Sequence, residues 1–511
     1  MSCALLGLAA HAHASETIYW DNYGAVPSTI AFANVDGTGG GLLDTTAVEI
    51  EGPEGIAYDP QNGRIYVANP NKKQIDWVAV DNSSSGVLDT TGATVDNPEG
   101  IAIDPATQTV YWSNDVIKGS IGYASANGGA GGVLNATGVT SVEDPYKVAL
   151  DTASGRIYWV NAEAINYVNT NNSGGATIPF APGTGLQNWS AINVDPAAGR
   201  IYVLGVNEAG EDGIFWFNTS GVGGGAVALS ATPKVTPKTY DDPFGLSFDP
   251  TSGRFIWANY GAEEEAANAF GTANLGAVGS ASIAIATTPV SEPQDPIVLK
   301  SPTGTGAPTL TKQVTALSCS QGAWSQDYPG SYVWSAPVSY SYQWSLNGQA
   351  ISGATGTSLT ATSPGSYTCT VTGINRQGTA SQTSSGATVS AASLSATLQT
   401  KKPHAKAGKA AVVKLLLANA GELSSTPVTV CAGPLTKAAK KGLKAPKCAT
   451  VAALSNGGSA VATLSVKTQK AAKGAYKFTA LVKGATVTPV TVSVKVTAAK
   501  KKHHHKKHGK K

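Results

Sequence analysis

Between Ser15 and Pro403 the chain has no histidine. That removes imidazole as general base, as partner to a nucleophile and as metal ligand over most of the protein. Methionine occurs once, and only 14% of residues are charged. The repeating 3.6-residue apolar pattern of amphipathic helices is scarce, which argues against a helical bundle. No stretch approaches the ~18 consecutive apolar residues of a membrane-spanning helix. None of the five cysteines stands in a CxxC spacing, so a zinc ribbon is excluded. Beyond residue 400 arginine is absent and Glu422 is the one acidic residue.

What is present in quantity is glycine, 58 residues, with abundant Ser, Thr, Asn and Val. That mixture suits many short strands joined by tight turns, and predicts an all-β protein of several domains. The formal charge of +3 conceals a division. Up to residue 400 there are 13 Lys plus Arg against 32 Asp plus Glu, a balance of −19; from 401 onward 23 lysines face one glutamate, a balance of +22. The two parts are expected to meet different partners.

The segment "DPQNGRIYVAN" at 59–69 returns as "DPATQTVYWSN", "DTASGRIYWVN", "DPAAGRIYVLG" and "DPTSGRFIWAN". Asp and Pro open a turn, Gly supplies a positive φ, and Ile, Tyr, Val and Trp then alternate as a strand requires. The marker aromatics Tyr19, Tyr66, Tyr111, Tyr158 and Tyr202, with Ile256 last, are spaced by 47, 45, 47, 44 and 54 residues. Periods of this length mark β-propeller blades, and six copies predict six blades. The first copy has no preceding strand, and "EPQDPIVLKSP" at 292–302 has the outline of the missing one. Residues 294–301 are therefore expected to close the ring as inner strand of the first blade.

"IYWDN", "VYWSN" and "RIYWVN" resemble the YWTD repeats of low-density-lipoprotein-receptor class B propellers, and the outline is similar to NHL and gluconolactonase-type propellers. The resemblance covers residues 15–301. Where the family has Asp, this chain has Asn22, Asn69, Asn114, Asn161 and Asn259, and Gly205 in one blade. Residues 303–391 hold Cys319, Trp344 and Cys369, with Tyr367 two positions before the second cysteine. This resembles bacterial Ig-like modules, implying an inter-sheet disulfide, a tryptophan packed on it and a tyrosine corner. Within the module "DYPGSYVWSAP" reads as an insertion. Residues 393–498, Lys-rich and alternating, resemble CARDB-type Ig-like adhesion modules. The expected architecture is thus a six-bladed β-propeller plus two Ig-like β-sandwiches.

Residues 1–14 read as the remainder of a signal peptide, with Ala12-His13-Ala14 before Ser15 as its cleavage site. Export and an even mature cysteine count favour disulfides, Cys319 with Cys369 and Cys431 with Cys448. Residues 499–511 form a Lys/His tail with nothing apolar to fold on. An extracellular or cell-surface location follows, and an intracellular nucleic-acid role is excluded.

In a propeller, residues opening inner strands and residues ending second strands share one rim. The first group is Glu54, Glu99, Lys147, Trp189 and Phe244; the second is Asn22, Asn69, Asn114, Asn161 and Asn259. Connecting loops add Glu208, Glu211, Asp212 and Glu263 to Glu265. Glu54, Glu99, Asn69, Asn114, Asn161 and Asn259 are the candidate ligand-binding residues, for a protein or a glycan; Ca²⁺ is the candidate ion, although no cofactor is required. The asparagines have a second reading, as braces for neighbouring backbone at strand ends. Lys500, Lys501, Lys502, Lys506, Lys507, Lys510 and Lys511 are the candidate contacts for an anionic envelope polymer or polysaccharide. His503, His504, His505 and His508 add charge at mildly acidic pH. The leading expectation is an exported binding or adhesion protein anchored by its basic end; the alternative is a gluconolactonase-like metal-dependent hydrolase using Glu54 and Glu99.

Overall fold

The computed structural model describes residues 16–161, 164–180, 186–207, 212–221, 223–227, 243–260, 270–275, 280–283, 285, 288 and 290–499. The signal-like segment, the C-terminal Lys/His tail, Glu208, Glu211 and Glu263 to Glu265 lie outside them, as does the side chain of Asp212. Two compact units divide the chain. One holds Met1–Gly306, Ala323–Tyr340 and Thr372–Ser381; the other holds Ala307–Gly322, Ser341–Val371 and Gln382–Lys511.

Among the described residues, the first unit has six antiparallel sheets whose four strands are adjacent in space. The inner strands of blades 2 to 6 are Gly55–Asp59, Pro98–Asp104, Val148–Asp151, Leu186–Asp195 and Pro243–Asp249. Blade 1 draws its inner strand, Pro293–Lys300, from the far end of the unit and pairs it antiparallel with Glu16–Asn22. Each inner strand touches the next, and the last returns to the first, so the sheets close around an axis as a β-propeller. The core is correspondingly a ring of layers between blades. Trp20, Trp112, Trp159 and Trp257 are wholly buried there, because a sheet with two apolar faces must bury both.

The repeated wording of the turns has a local cause. Asp59, Asp104, Asp151, Asp195 and Asp249 each accept the amide of the residue two positions on, at 2.9–3.1 Å. Gly63, Gly155, Gly199 and Gly253 then take φ of 60–69°. The Arg that follows lies over an aromatic ring of the third strand: Arg64 over Trp77 at 3.8 Å, Arg156 over Tyr167 at 4.2 Å, Arg200 over Trp216 at 4.6 Å. Arg254 instead reaches Glu16 at 2.5 Å, and Lys300 joins Glu16 to Asp249 at 3.3 and 2.6 Å, so charge reinforces the closure of the ring.

Segments 323–340 and 372–381, which the sequence boundaries assign to the module at 303–391, belong with the propeller. In the second unit a disulfide joins Cys319 to Cys369, Trp344 is fully buried, and the Tyr367 hydroxyl donates to the Ser363 carbonyl at 2.7 Å. The C-terminal part of this unit faces a three-stranded sheet, Leu394–Leu398, Ala410–Asn419 and Ser459–Lys467, with a five-stranded one around an aliphatic core. Cys431 and Cys448 form the second disulfide. Among the described residues no helix is long and apolar enough to cross a membrane.

Candidate functional site at the propeller axis

Every inner strand opens with a three-residue step, and the strand register aligns the copies. Pro98, Pro243 and Pro293 stand opposite Asn114, Asn259 and Asn22. A register shift follows in each of these blades, and another between Trp189 and Ala191. Such bulges turn the chain and re-aim its side chains. The third residue of the step is Gly55, Gly100, Lys147, Ser190, Gly245 and Asp295, in blade order from the second round to the first. Glycine is required where it occurs, because a Cβ on Gly55 would stand 2.3 Å from the Glu99 carbonyl and one on Gly100 2.5 Å from the Val148 nitrogen. Only blades 4 and 1 carry a long side chain at this narrow ring, and the two are of opposite charge. Lys147 Nζ meets Asp295 Oδ2 at 2.8 Å across the axis.

Around this pair gathers a larger acidic set. Lys147 Nζ donates to the Glu54 carbonyl and lies 3.9 Å from Glu54 Oε2. It also lies 5.0 and 4.8 Å from the ring centres of Tyr146 and Phe244. Burial alone would pull the Lys147 pKa down, but the Asp295 carboxylate, with Tyr146 and Glu54, outweighs it and holds it above the ordinary lysine value. The ammonium therefore stays charged. Asp21 is wholly buried beside it, and neither carboxylate oxygen has a hydrogen-bond partner in another of the described residues; burial, then Asp295, pushes its pKa well up. Asp295 keeps a φ of 39°, in the left-handed region that disfavours side chains. The ion pair is the evident return for that strain.

Glu54 and Glu99 meet here, as the first residues outward from the ring. Glu99 is 7% exposed. Its Oε1 accepts from Asn97 Nδ2 at 3.0 Å, while its Oε2 and Asp115 Oδ1 lack a donor when both groups are ionised. One proton removes the conflict. Burial first, then Asp115 and Glu54 working against Lys147, raise Glu99 to about 9, so it is protonated at neutral pH and donates to Asp115. Burial likewise raises Glu54 to about 7, with Lys147 opposing. Rings line the other side: Tyr146 to Phe244, Phe244 to Tyr260 and Tyr260 to Tyr23 have centroids 5.9, 5.9 and 6.1 Å apart. The set offers one carboxylate that titrates near neutrality, a shared proton and a row of aromatic faces.

Below the ion pair the axis is stopped from the face of the Asp-Pro turns. Val333 and Trp334 pair parallel with Val298 and Leu299, adding a short strand inside blade 1. Ser331 donates to the Val194 carbonyl at 2.7 Å, and the Tyr332 hydroxyl reaches up the axis to the Ile101 and Val148 carbonyls. Gly330 passes so close to blade 4 that a Cβ would stand 2.2 Å from the Leu150 carbonyl. Between Tyr332 and Lys147 remains a cavity of about 10 Å³, room for one water. The insertion noticed in the sequence is thus a plug.

The asparagines are occupied differently. Asn69 Nδ2 donates to Asp76 and to the Glu49 carbonyl, each at 2.8 Å. Asn114 accepts from the Asp96 amide at 2.9 Å and donates to Ser120 at 2.9 Å and the Thr94 carbonyl at 3.2 Å. Asn161 donates to the Ser141 carbonyl at 3.5 Å and accepts from the Ala164 amide at 3.2 Å. Asn22 accepts from Trp20 at 2.8 Å, and Asn259 is fully buried. These amides brace the connections between blades. Sequence reasoning missed Asp21, Asp115, Tyr146, Asp295 and Tyr332, and set Lys147 in the register of Glu54 and Glu99. The signal was available: Pro145-Tyr146-Lys147 and Pro293-Gln294-Asp295 depart from the Pro-x-Gly of residues 53–55, 98–100 and 243–245 by a charged side chain.

For a metal, the donor set does not fit. The Lys147 ammonium already occupies the cationic position between Asp295 and Glu54, and among the described residues no group of three or more acidic, histidine or cysteine side chains is arranged to hold an ion.

No protein-family model matches the chain, and no curated protein matches it. Solved structures are similar to a little over half of it. The nidogen/laminin complex aligns with 55% of this chain and 98% of its own at 13% identity and a TM-score of 0.42. A Bacteroides fragilis protein named as a 6-phosphogluconolactonase aligns with 56% and 98% at 11% identity and 0.37. TolB from Acinetobacter baumannii aligns with 56% and 66% at 10% identity and 0.38. At these values the likeness concerns the fold alone, which the closed ring of sheets establishes independently: the chain contains a β-propeller.

Proposed function

We propose that this is an exported binding protein with its two tasks assigned to different regions. The propeller presents the face around Glu54 and Glu99 as a recognition surface, and the Lys-rich C-terminal region, with the tail lysines 500–511, holds anionic polymers of the cell envelope. The observation that carries this reading is the state of the lysines. All sixteen between Lys401 and Lys495 are exposed, and Glu422, the one acid of the region, is taken by Lys312 at 2.6 Å. A surface of uncompensated ammonium groups without arginine suits diffuse polyanion binding rather than bidentate reading of a phosphate.

Sedimentation of the whole chain with purified envelopes over a salt series tests it. Binding is expected at low salt and release as the Debye length shrinks; envelope binding that ignores salt would sink the anchor. A fragment ending at 301 is the wrong reagent for the propeller, because it omits the plug.

One observation favours a catalytic reading, a hydrolase of the gluconolactonase-like kind: Glu54 ionises near neutrality, as a general acid or base should. Lactonase activity in the purified chain, abolished by Glu54→Gln, would establish it.

A further inference from the structure

The five-stranded sheet of the C-terminal region carries an open groove on its outer side. The groove is walled by the chain from Ala432 to Leu435, by Leu443, Lys444 and Ala445, and by Leu481 and Lys483 of the strand Gly474–Lys483, with Lys440 and Gln469 completing it. Its volume is about 780 Å³, within the range of small-molecule sites. Why it exists follows from the second disulfide. Cys431 is the next-to-last residue of the Val428–Ala432 strand, Cys448 precedes the next, and the bond holds the intervening chain, with the helix Lys437–Gly442, against the sheet. Gly442 fits tightly there, since a Cβ would stand 2.2 Å from the Tyr476 ring. Leu481, on the outward side of its strand, is left under this wall beside Gly433.

The chemistry of the groove is of two kinds. Its lining is apolar at Ala432, Pro434, Leu435, Leu443 and Leu481 and basic at Lys440, Lys444 and Lys483. All three lysines are exposed, and none has a carboxylate partner among the described residues. A plain polyanion would satisfy the lysines and leave the exposed parts of Leu435 and Leu481 in water. A neutral lipid would do the reverse. A molecule that carries a negative group on a hydrocarbon chain satisfies both.

We propose that this groove binds an anionic phospholipid, with its phosphate among Lys440, Lys444 and Lys483 and the first part of its acyl chain on Leu435 and Leu481. The proposal rests on the reading of the basic region as an envelope anchor, and gives that anchor a component that salt does not release. Lysines near an anionic leaflet act additively and within a Debye length, whereas apolar burial persists at high salt.

The test uses the whole chain against two probes, phosphatidylglycerol vesicles and dextran sulfate, which has charge but no acyl chain. At ~1 M salt, where the Debye length is about 3 Å, dextran sulfate is expected to be released and part of the vesicle binding to remain. Leu435→Ser with Leu481→Thr should remove that remainder and leave dextran sulfate binding unchanged. Lys440→Gln, Lys444→Gln and Lys483→Gln together should weaken low-salt vesicle binding by on the order of a hundredfold. Thermal melts check that both variants fold; were the leucine variant unfolded, the salt comparison on the wild type and the lysine variant would decide. Complete release of wild type from vesicles at the salt that frees it from dextran sulfate overturns the groove but spares the anchor, as does unaltered vesicle binding by the leucine variant. Failure to bind either probe at low salt overturns both.

Discussion

The propeller and the C-terminal sandwich handle charge in opposite ways. The propeller draws Lys147, Asp295, Asp21, Glu54 and Glu99 inward to its axis, where one cation is surrounded by carboxyl groups. The sandwich keeps its buried cluster almost wholly aliphatic, with Phe478 as its aromatic member, and puts every lysine outside. Inside, charges fix geometry at a cost in solvation and lose their reach into solvent. Outside, they contribute little to stability and act at a distance. The same residue types therefore shape a local face in one region and a long-range field in the other.

The contrast is broken most severely at Lys147. Lys147→Met strands Asp295 and Glu54 without their cation and should cost about 3–5 kcal/mol, read as a lower denaturation midpoint. Lys147→Met with Asp295→Gly should recover much of that loss, since glycine also accepts the φ of 39° at residue 295.

Loss of the second disulfide ranks next. Cys431→Ser with Cys448→Ser opens a loop of 17 residues' separation and should cost about 2–4 kcal/mol, confined to the unfolding of the sandwich. Gly330→Ala tests the plug. The added methyl has no space beside Leu150 and Val194, so a loss of about 1–3 kcal/mol is expected in the transition of the propeller.

Titration of Glu99 sharpens the comparison further. Its pKa is higher folded than unfolded, so the proton it retains favours the native state fully below its ordinary value near 4.5. That contribution is lost as pH rises toward about 9. Glu99→Gln supplies a permanent donor to Asp115. It should leave stability unchanged near pH 4 and raise it increasingly as pH climbs toward about 9. The smallest effect belongs to the exposed lysines. Lys477→Gln or Lys495→Gln should change stability by less than about 0.5 kcal/mol while lowering affinity for a polyanion.

Much of the ring was legible because each blade repeats one local problem. Asp, Pro and Gly close the turn, and an alternating aromatic strand follows, so the period could be counted. The strand Pro293–Lys300 was locatable from its outline alone. The axis was harder to read because its chemistry lies in the exceptions. Lys147 and Asp295 are 148 residues apart, and only the fold shows that the two side chains meet across the axis, at the position where blades 2, 3 and 6 carry glycine. Tyr332 was beyond reach for another reason. A plug donated by the following segment obeys no repeat, and nothing local in "DYPGSYVWSAP" says which cavity it fills.

The most direct test of the division of labour is envelope binding by three forms of the whole chain at low and high salt. They are the wild type, a Glu54→Gln/Glu99→Gln variant, and a variant with Lys406, Lys414, Lys477, Lys483 and Lys495 all changed to Gln. The account predicts that the lysine variant loses most low-salt binding and that the glutamate variant retains it. Loss of low-salt binding in the glutamate variant, with the lysine variant unaffected, would contradict it.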